Sequence, residues 1–200
     1  HKCVGVNVRC IFVTCDPAEC SFVPPPPFSL KKQQTDYVER AYGFNKVFWM
    51  KYPAAHLDTI SMQEIVSKIA DIFKQTIPEV VYVPSRTDIH SDHRVVFDAV
   101  FACTKRFRYL SVKKVLMYET VSETEQAPAL MDRAFIPNYY VDITKFFKQK
   151  MDIMKNAYHM ELERPPFPRS VKNVEALATF RGSTMGIKFA EAFHLLKWIV

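Results

Sequence analysis

The feature that most limits what this chain can become is the run Val80-Val81-Tyr82-Val83-Pro84-Ser85, which passes directly into Arg86-Thr87-Asp88-Ile89-His90-Ser91-Asp92-His93-Arg94. The first part is β-branched and aromatic and is closed by a proline, so it reads as a buried strand. Beyond it, Val95, Val96, Ala99, Val100, Cys103 and Phe107 recur at helical spacing, which predicts a helix reaching Phe107. Ser91 stands where a cap belongs and Asp92 where a first-turn carboxylate meets the positive end of the helix. His90 and His93 therefore fall at a strand-to-helix junction. In open parallel sheets such junctions, at the carboxyl ends of strands, are where sites form. Three residues apart across a first turn, two imidazoles can converge on one point.

The rest of the chain repeats the same unit. Val8 to Thr14 reads as a strand, Lys31 to Tyr42 as a helix ended by Gly43, and Lys46 to Lys51 as a second strand. Ser61-Met62-Gln63-Glu64 has the form of a capping box, and Ile65, Ile69, Ile72 and Phe73 give the helix behind it an apolar stripe up to Pro78. Val112 to Tyr118 follows the histidine segment as another strand. Past Glu119 the alternation weakens. A polar stretch from Ser122 to Asp132 precedes a strand within Phe135 to Ile143, and Phe147, Met151, Met154 and Tyr158 mark a helix. Ser170 caps another that Gly182 stops, and Phe189 to Leu195 reads equally as strand or short helix. Strands alternating with helices predict an α/β fold, a Rossmann-like three-layer sandwich with a mainly parallel sheet. The 200 residues, 48% of them hydrophobic, suffice for one domain spanning 1–200.

Composition excludes some classes and leaves others open. No apolar run approaches the roughly 20 residues of a membrane span, and a cytoplasmic location is the default expectation. The five cysteines, Cys3, Cys10, Cys15, Cys20 and Cys103, include no C-x-x-C pair, so free or buried thiols are expected rather than a zinc knot. The formal charge is +6, yet the basic residues are scattered apart from Lys31-Lys32, Lys105 to Arg108 and Lys113-Lys114. These read as solvated faces, and no nucleic-acid partner is expected; an anionic substrate or a membrane surface is equally compatible.

A histidine pair with acids around it offers a zinc ligand and a neighbouring proton donor, since neutral imidazole binds zinc and titrates near neutrality. The plain structural alternative has His90 capping the loop and His93 facing solvent. Asp88 and Asp92 weigh against it, because a carboxylate beside an imidazole orients the ring and raises its basicity. His56, His159 and His194 are isolated and read as structural, as do Met151 and Met154.

The segment Pro84 to Arg94, ending His90-Ser91-Asp92-His93-Arg94, resembles the H-P-D-H-R element of the LmbE-like, or PIG-L, family of zinc-dependent N-acetylglucosaminyl deacetylases, with serine in place of proline. Met117-Tyr118-Glu119, Phe135-Ile136-Pro137, Val141-Asp142-Ile143-Thr144, Arg181-Gly182-Ser183 and Phe189-Ala190-Glu191-Ala192-Phe193 follow in family order. The resemblance implies a hydrolase releasing acetate from an N-acetylated sugar or glycoconjugate. It makes His93 a ligand of Zn2+, His90 a general acid beside the leaving amine, and Asp92 a carboxylate tuning His90 or the metal site. The family's other ligands and its catalytic base come from an H-P-D-D-E element after the first strand, which this sequence lacks. The resemblance thus implies a domain truncated before His1 and inactive as it stands. Alternatively Cys15-Asp16-Pro17-Ala18-Glu19 is a degenerate version supplying Asp16 and Glu19.

Two other function classes fit parts of the same stretch. Thr87 to His93 is similar to the H-x-H-x-D-H loop of metallo-β-lactamase-like hydrolases, with Asp88 at the first histidine. A non-catalytic module binding a sugar or nucleotide sugar is the third reading; four glycines and no G-x-G-x-x-G exclude a dinucleotide fingerprint.

Overall fold

A computed structural model describes residues 9–16 and 28–200; the first of these segments is described by its backbone alone. The chain runs β1 (Arg9–Asp16), α1 (Phe28–Tyr42), β2 (Lys46–Pro53), α2 (Met62–Thr76), β3 (Val80–Pro84), α3 (Ser91–Ala102) and β4 (Lys114–Tyr118). It continues through β5 (Tyr139–Asp142), α4 (Phe147–Ala157), α5 (Val171–Ser183) and β6 (Ala190–Trp198), with short 3-10 turns at Leu57–Thr59 and Met131–Arg133. Cys3, Cys20, Glu19 and the prolines at 24–27 lie outside the described residues.

The alternation of strand and helix is present, but the expectation of a mainly parallel sheet needs correction. β1 pairs with β2 and β3 with β4 in parallel, whereas β6 lies between β4 and β5 and runs antiparallel to both. The strands fall into a two-stranded set, β1-β2, and a four-stranded set in the order β3-β4-β6-β5. A single crossover helix returns the chain to the end at which it started and yields a parallel neighbour. Two helices, α4 and α5, separate β5 from β6, and the chain re-enters the sheet from the opposite end.

Local signals account for most boundaries. Ser61 caps α2, its hydroxyl accepting the Glu64 amide, and Ser170 caps α5 in the same way through Asn173. Gly43, with φ of 70°, ends α1 in the left-handed region that glycine adopts without strain. α3 is shorter than its periodicity predicts. It stops at Ala102, and Phe107 lies 75% exposed in the turns that follow. The residue at its cap is His90 rather than Ser91. The last segment resolves as strand β6.

The main core joins β2, the 3-10 turn at Leu57, α2, α3, β3 and β4: Leu57, Ile65, Ile69, Val83, Ala99 and Val115 are fully buried there. β3 is not buried on both faces. Val81 and Val83 enter this core while Val80 and Tyr82 are exposed, and among the described residues β3 has a single paired neighbour, β4. Smaller clusters join α4 to α5 through Phe147, Met151 and Ala178, and α1 to α4 through Val38, Ile153 and Ala157.

Gly182 does not stop α5, which runs one residue past it, but allows a close crossing. A Cβ there would stand 2.6 Å from the Ile187 carbonyl oxygen and 2.9 Å from that of Lys188, both backbone atoms. Gly182→Ala is therefore expected to destabilise the fold by about 1–3 kcal/mol through overpacking. Urea unfolding monitored by circular dichroism would measure the fall in midpoint.

A paired-histidine site at the end of strand three

The site is built where β3 ends. Pro84 closes the strand, and the Ser85 carbonyl accepts the Asp88 amide at 3.3 Å while the Ser85 hydroxyl accepts the Thr87 amide at 3.2 Å. This turn buries Asp88, which is 1% exposed. A buried carboxylate is tolerated only where its oxygens are satisfied. One oxygen accepts from the Thr124 hydroxyl at 2.6 Å, and the other meets His93 Nδ1 at 2.7 Å. Arg94 folds back over the same turn, donating to the carbonyls of Asp88 and Ile89 at 2.9 and 2.7 Å.

These contacts set the state of His93. A carboxylate accepts only, so Nδ1 carries a proton, and in the neutral ring the lone pair is then on Nε2. His90 is set the other way. Its Nδ1 accepts the Asp92 amide at 3.1 Å as the cap of α3, which places its proton on Nε2. The rings stack with centroids 5.1 Å apart and planes 17° from parallel. The pair thus presents one free lone pair and one free N–H, at the amino end of a helix whose dipole favours negative charge.

Asp92, expected to tune His90 or the metal site, has its carboxylate elsewhere. Its two oxygens accept the backbone amides of Ala55 and Leu57 at 2.7 and 3.1 Å, and the residue is 3% exposed. The carboxylate that meets an imidazole is Asp88, and Asp92 reaches His90 through its own backbone N–H. Asp92 pins the loop after β2 to the first turn of α3. Cys103 is buried and free, its thiol pushed up by burial; the side chains of Cys10, Cys15 and Asp16 are not described. His56, His159 and His194 stand apart from the pair: His56 at the turn before Leu57, His159 after α4, and His194 opposite Met117 in β6.

A cavity of about 480 Å³ lies between the 119–125 loop and α5, lined by Glu119, Thr120, Thr124, Phe135, Phe180 and Arg181 among others. Arg181 and Glu119 form a two-pronged ion pair at 2.9 and 2.6 Å, which raises the guanidinium above its usual range. Thr124 belongs both to this cavity and to the Asp88 network. It was invisible in the sequence, where it sits in a polar loop 36 residues from its partner.

For zinc, the described residues offer one suitable ligand. His93, held by a buried carboxylate with its Nε2 free, has the form of a metal-binding imidazole. Among the described residues no three histidine, cysteine or acidic side chains gather to complete a metal site.

Taken together, the chain forms a Rossmann-like α/β domain that carries a carboxylate-fixed histidine pair at the carboxyl end of a parallel strand. Residues 6–104 match the family model described as PIG-L: GlcNAc-PI de-N-acetylase, so the chain is similar to this PIG-L, or LmbE-like, family over just under half of its length. Solved structures share the fold. The N,N'-diacetylchitobiose deacetylase of Pyrococcus horikoshii, bound to an inhibitor, is 17% identical with a TM-score of 0.74, over 96% of this chain and 74% of that one. The 4-carboxy-2-hydroxymuconate hydratase GalB of Pseudomonas putida KT2440 is 14% identical with a TM-score of 0.72, over 97% and 85%. The teicoplanin deacetylase Orf2, in a zinc-inhibited form, is 12% identical with a TM-score of 0.71, over 96% and 87%.

Proposed function

We propose that this chain belongs to a zinc-dependent hydrolase that removes the N-acetyl group from an N-acetylglucosamine-type sugar or glycoconjugate and releases acetate. The observation that carries this reading is the opposite setting of the two imidazoles: His93 leaves a lone pair for a metal, and His90 leaves an N–H for the substrate. Because a hydratase shares the fold, the reading rests on the family match and on this pair rather than on the architecture.

In this reading His93 is one zinc ligand, and the remaining ligands come from outside the described residues. Zinc, when bound, supplies Lewis acidity toward the acetamide carbonyl. Asp88 keeps the His93 proton on Nδ1, and Thr124 holds Asp88 in place. His90 would be the general acid beside the departing nitrogen in its imidazolium form, giving the Nε2 proton to the amine and returning to the neutral ring whose Nδ1 accepts the Asp92 amide. The amino end of α3 stabilises the charge that develops on the carbonyl oxygen and then on acetate. Asp92 serves His90 through its amide and fixes the wall formed by the 53–57 loop.

The test is acetate release by the whole gene product from N-acetylglucosamine, N,N'-diacetylchitobiose and a lipid-linked N-acetylglucosamine, with zinc quantified in the same samples. One acetate for each free amine formed, abolished by a chelator and restored by zinc, is the expected result. Sugar binding without acetate release would favour the non-catalytic module instead.

A further inference from the structure

At the far end of β4 from the histidine pair, the segment joining α3 to β4 carries Lys105-Arg106-Phe107-Arg108-Tyr109-Leu110-Ser111-Val112-Lys113-Lys114. It holds five basic residues, and no acid occurs between Asp98 and Glu119. Its backbone forms hydrogen-bonded turns: the Lys105 carbonyl accepts the amides of Arg108 and Tyr109, and the Tyr109 carbonyl that of Val112, all at 2.9–3.2 Å. Two side chains anchor it. Tyr109 stands edge-on to Phe73 with centroids 5.8 Å apart, and Val112 is fully buried. The amides of Lys113 and Lys114 bond to the Glu79 carbonyl at 2.8 and 3.0 Å.

This anchoring turns two large apolar side chains outward. Phe107 is 75% and Leu110 67% exposed, and Lys105, Arg106 and Arg108 around them are exposed as well. The Arg108 guanidinium lies 5.6 Å from the Phe107 ring centre, beside the apolar tip rather than over an acid. Glu79, whose carbonyl holds the loop, pairs with Lys113 at 3.0 Å, and Asp71 of α2 pairs within its own helix with Lys74 at 2.9 Å. Exposed Ile77 lies at this same end, just before β3. Apolar tips ringed by Lys105, Arg106 and Arg108, which have no acid paired to them among the described residues, match an anionic bilayer surface. There a phenylalanine and a leucine enter the headgroup boundary while lysine and arginine stay with the phosphates.

We propose that the 105–114 loop is a docking site for an anionic lipid bilayer, with Phe107 and Leu110 as its inserting residues. Parallel strands β3 and β4 place the histidine pair at one end and this loop at the other, about 16 Å apart along the five residues of β4. Docking therefore leaves the site open to the water phase. The proposal does not depend on the deacetylase reading, and its test does not use activity.

The experiment is sedimentation of the protein with phosphatidylcholine vesicles with and without about 30 mol% phosphatidylserine. Binding is expected only to the anionic vesicles and is expected to fall as salt rises, by Debye screening. Replacing Lys105, Arg106 and Arg108 together by glutamine should lower the partition coefficient by about 100-fold, taking each cation as worth roughly fivefold. F107S with L110S should lower it by about 10-fold or more while leaving the salt dependence in place. Both variants change exposed side chains, and their melting curves should overlay that of the parent protein. Equal binding to neutral vesicles, no binding to either, or binding to a single-stranded oligonucleotide that F107S and L110S leave unchanged would each overturn the proposal.

Discussion

His93→Ala is expected to remove zinc from the whole gene product and to reduce acetate release to background, whereas His90→Ala is expected to keep the metal. The difference follows from the two ring settings rather than from proximity, since the rings stack only 5.1 Å apart. His93 is held at Nδ1 by Asp88, and in the proposed function its loss would take away a ligand, the metal and the chemistry that depends on it. His90 spends Nδ1 on the cap of α3 and turns a donor outward. Its loss should slow turnover by about 100-fold to 10,000-fold, the scale of a positioned acid, with zinc content unchanged. Asp88→Asn separates the ligand from its support. Retained zinc with affinity weaker by roughly 10-fold to 100-fold is the expected outcome for a carboxylate behind a ligand. Zinc and acetate measured on the same samples decide the matter. If His90→Ala loses zinc as fully as His93→Ala, both histidines are ligands and the division of roles is wrong.

How much of this was readable in the residues depends on the range of the interactions involved. Caps and stripes are local, and Ser61, Ser170, Gly43 and the Ile65-Ile69-Ile72-Phe73 face mark their elements correctly. The end of α3 was misplaced because Phe107 continues the helical spacing of the core positions. The chain nevertheless leaves the helix at Ala102, and it is Tyr109 and Val112 that pack inward. Sheet direction was not legible past Glu119, since a residue pattern does not reveal that β6 inserts between β4 and β5. At the site, the histidine pair stood out in the sequence, and both neighbouring acids were credible partners for it. Choosing between them requires the turn at Ser85 to Asp88, which buries one carboxylate against His93, and the loop at 55–57, which captures the other. Thr124 and the two amides held by Asp92 are long-range contacts of ordinary residue types, and nothing in their composition announces them.

Asp92→Ala is expected to cost about 3–5 kcal/mol of stability, more than any activity role alone would demand, because it strips a buried carboxylate from two backbone donors. The Ala55 and Leu57 amides have Asp92 as their partner, at 2.7 and 3.1 Å, and Leu57 beside them is fully buried in the main core. Without that carboxylate the amides are left unpaired, or the loop after β2 swings out and exposes Leu57. Either route weakens the contact between the loop and the amino end of α3, where His90 takes its bond from the Asp92 amide. For a chain of this size the loss corresponds to a fall in melting temperature of roughly 6–20 °C. Asp92→Asn keeps the shape and one accepting oxygen but turns an NH2 toward the second amide, so an intermediate loss of about 2–3 kcal/mol is expected. Thermal unfolding with metal-free protein isolates this effect from any contribution of zinc. A metal-free Asp92→Ala protein that melts with the parent would return the residue to the catalytic role that its place between the two histidines first implies.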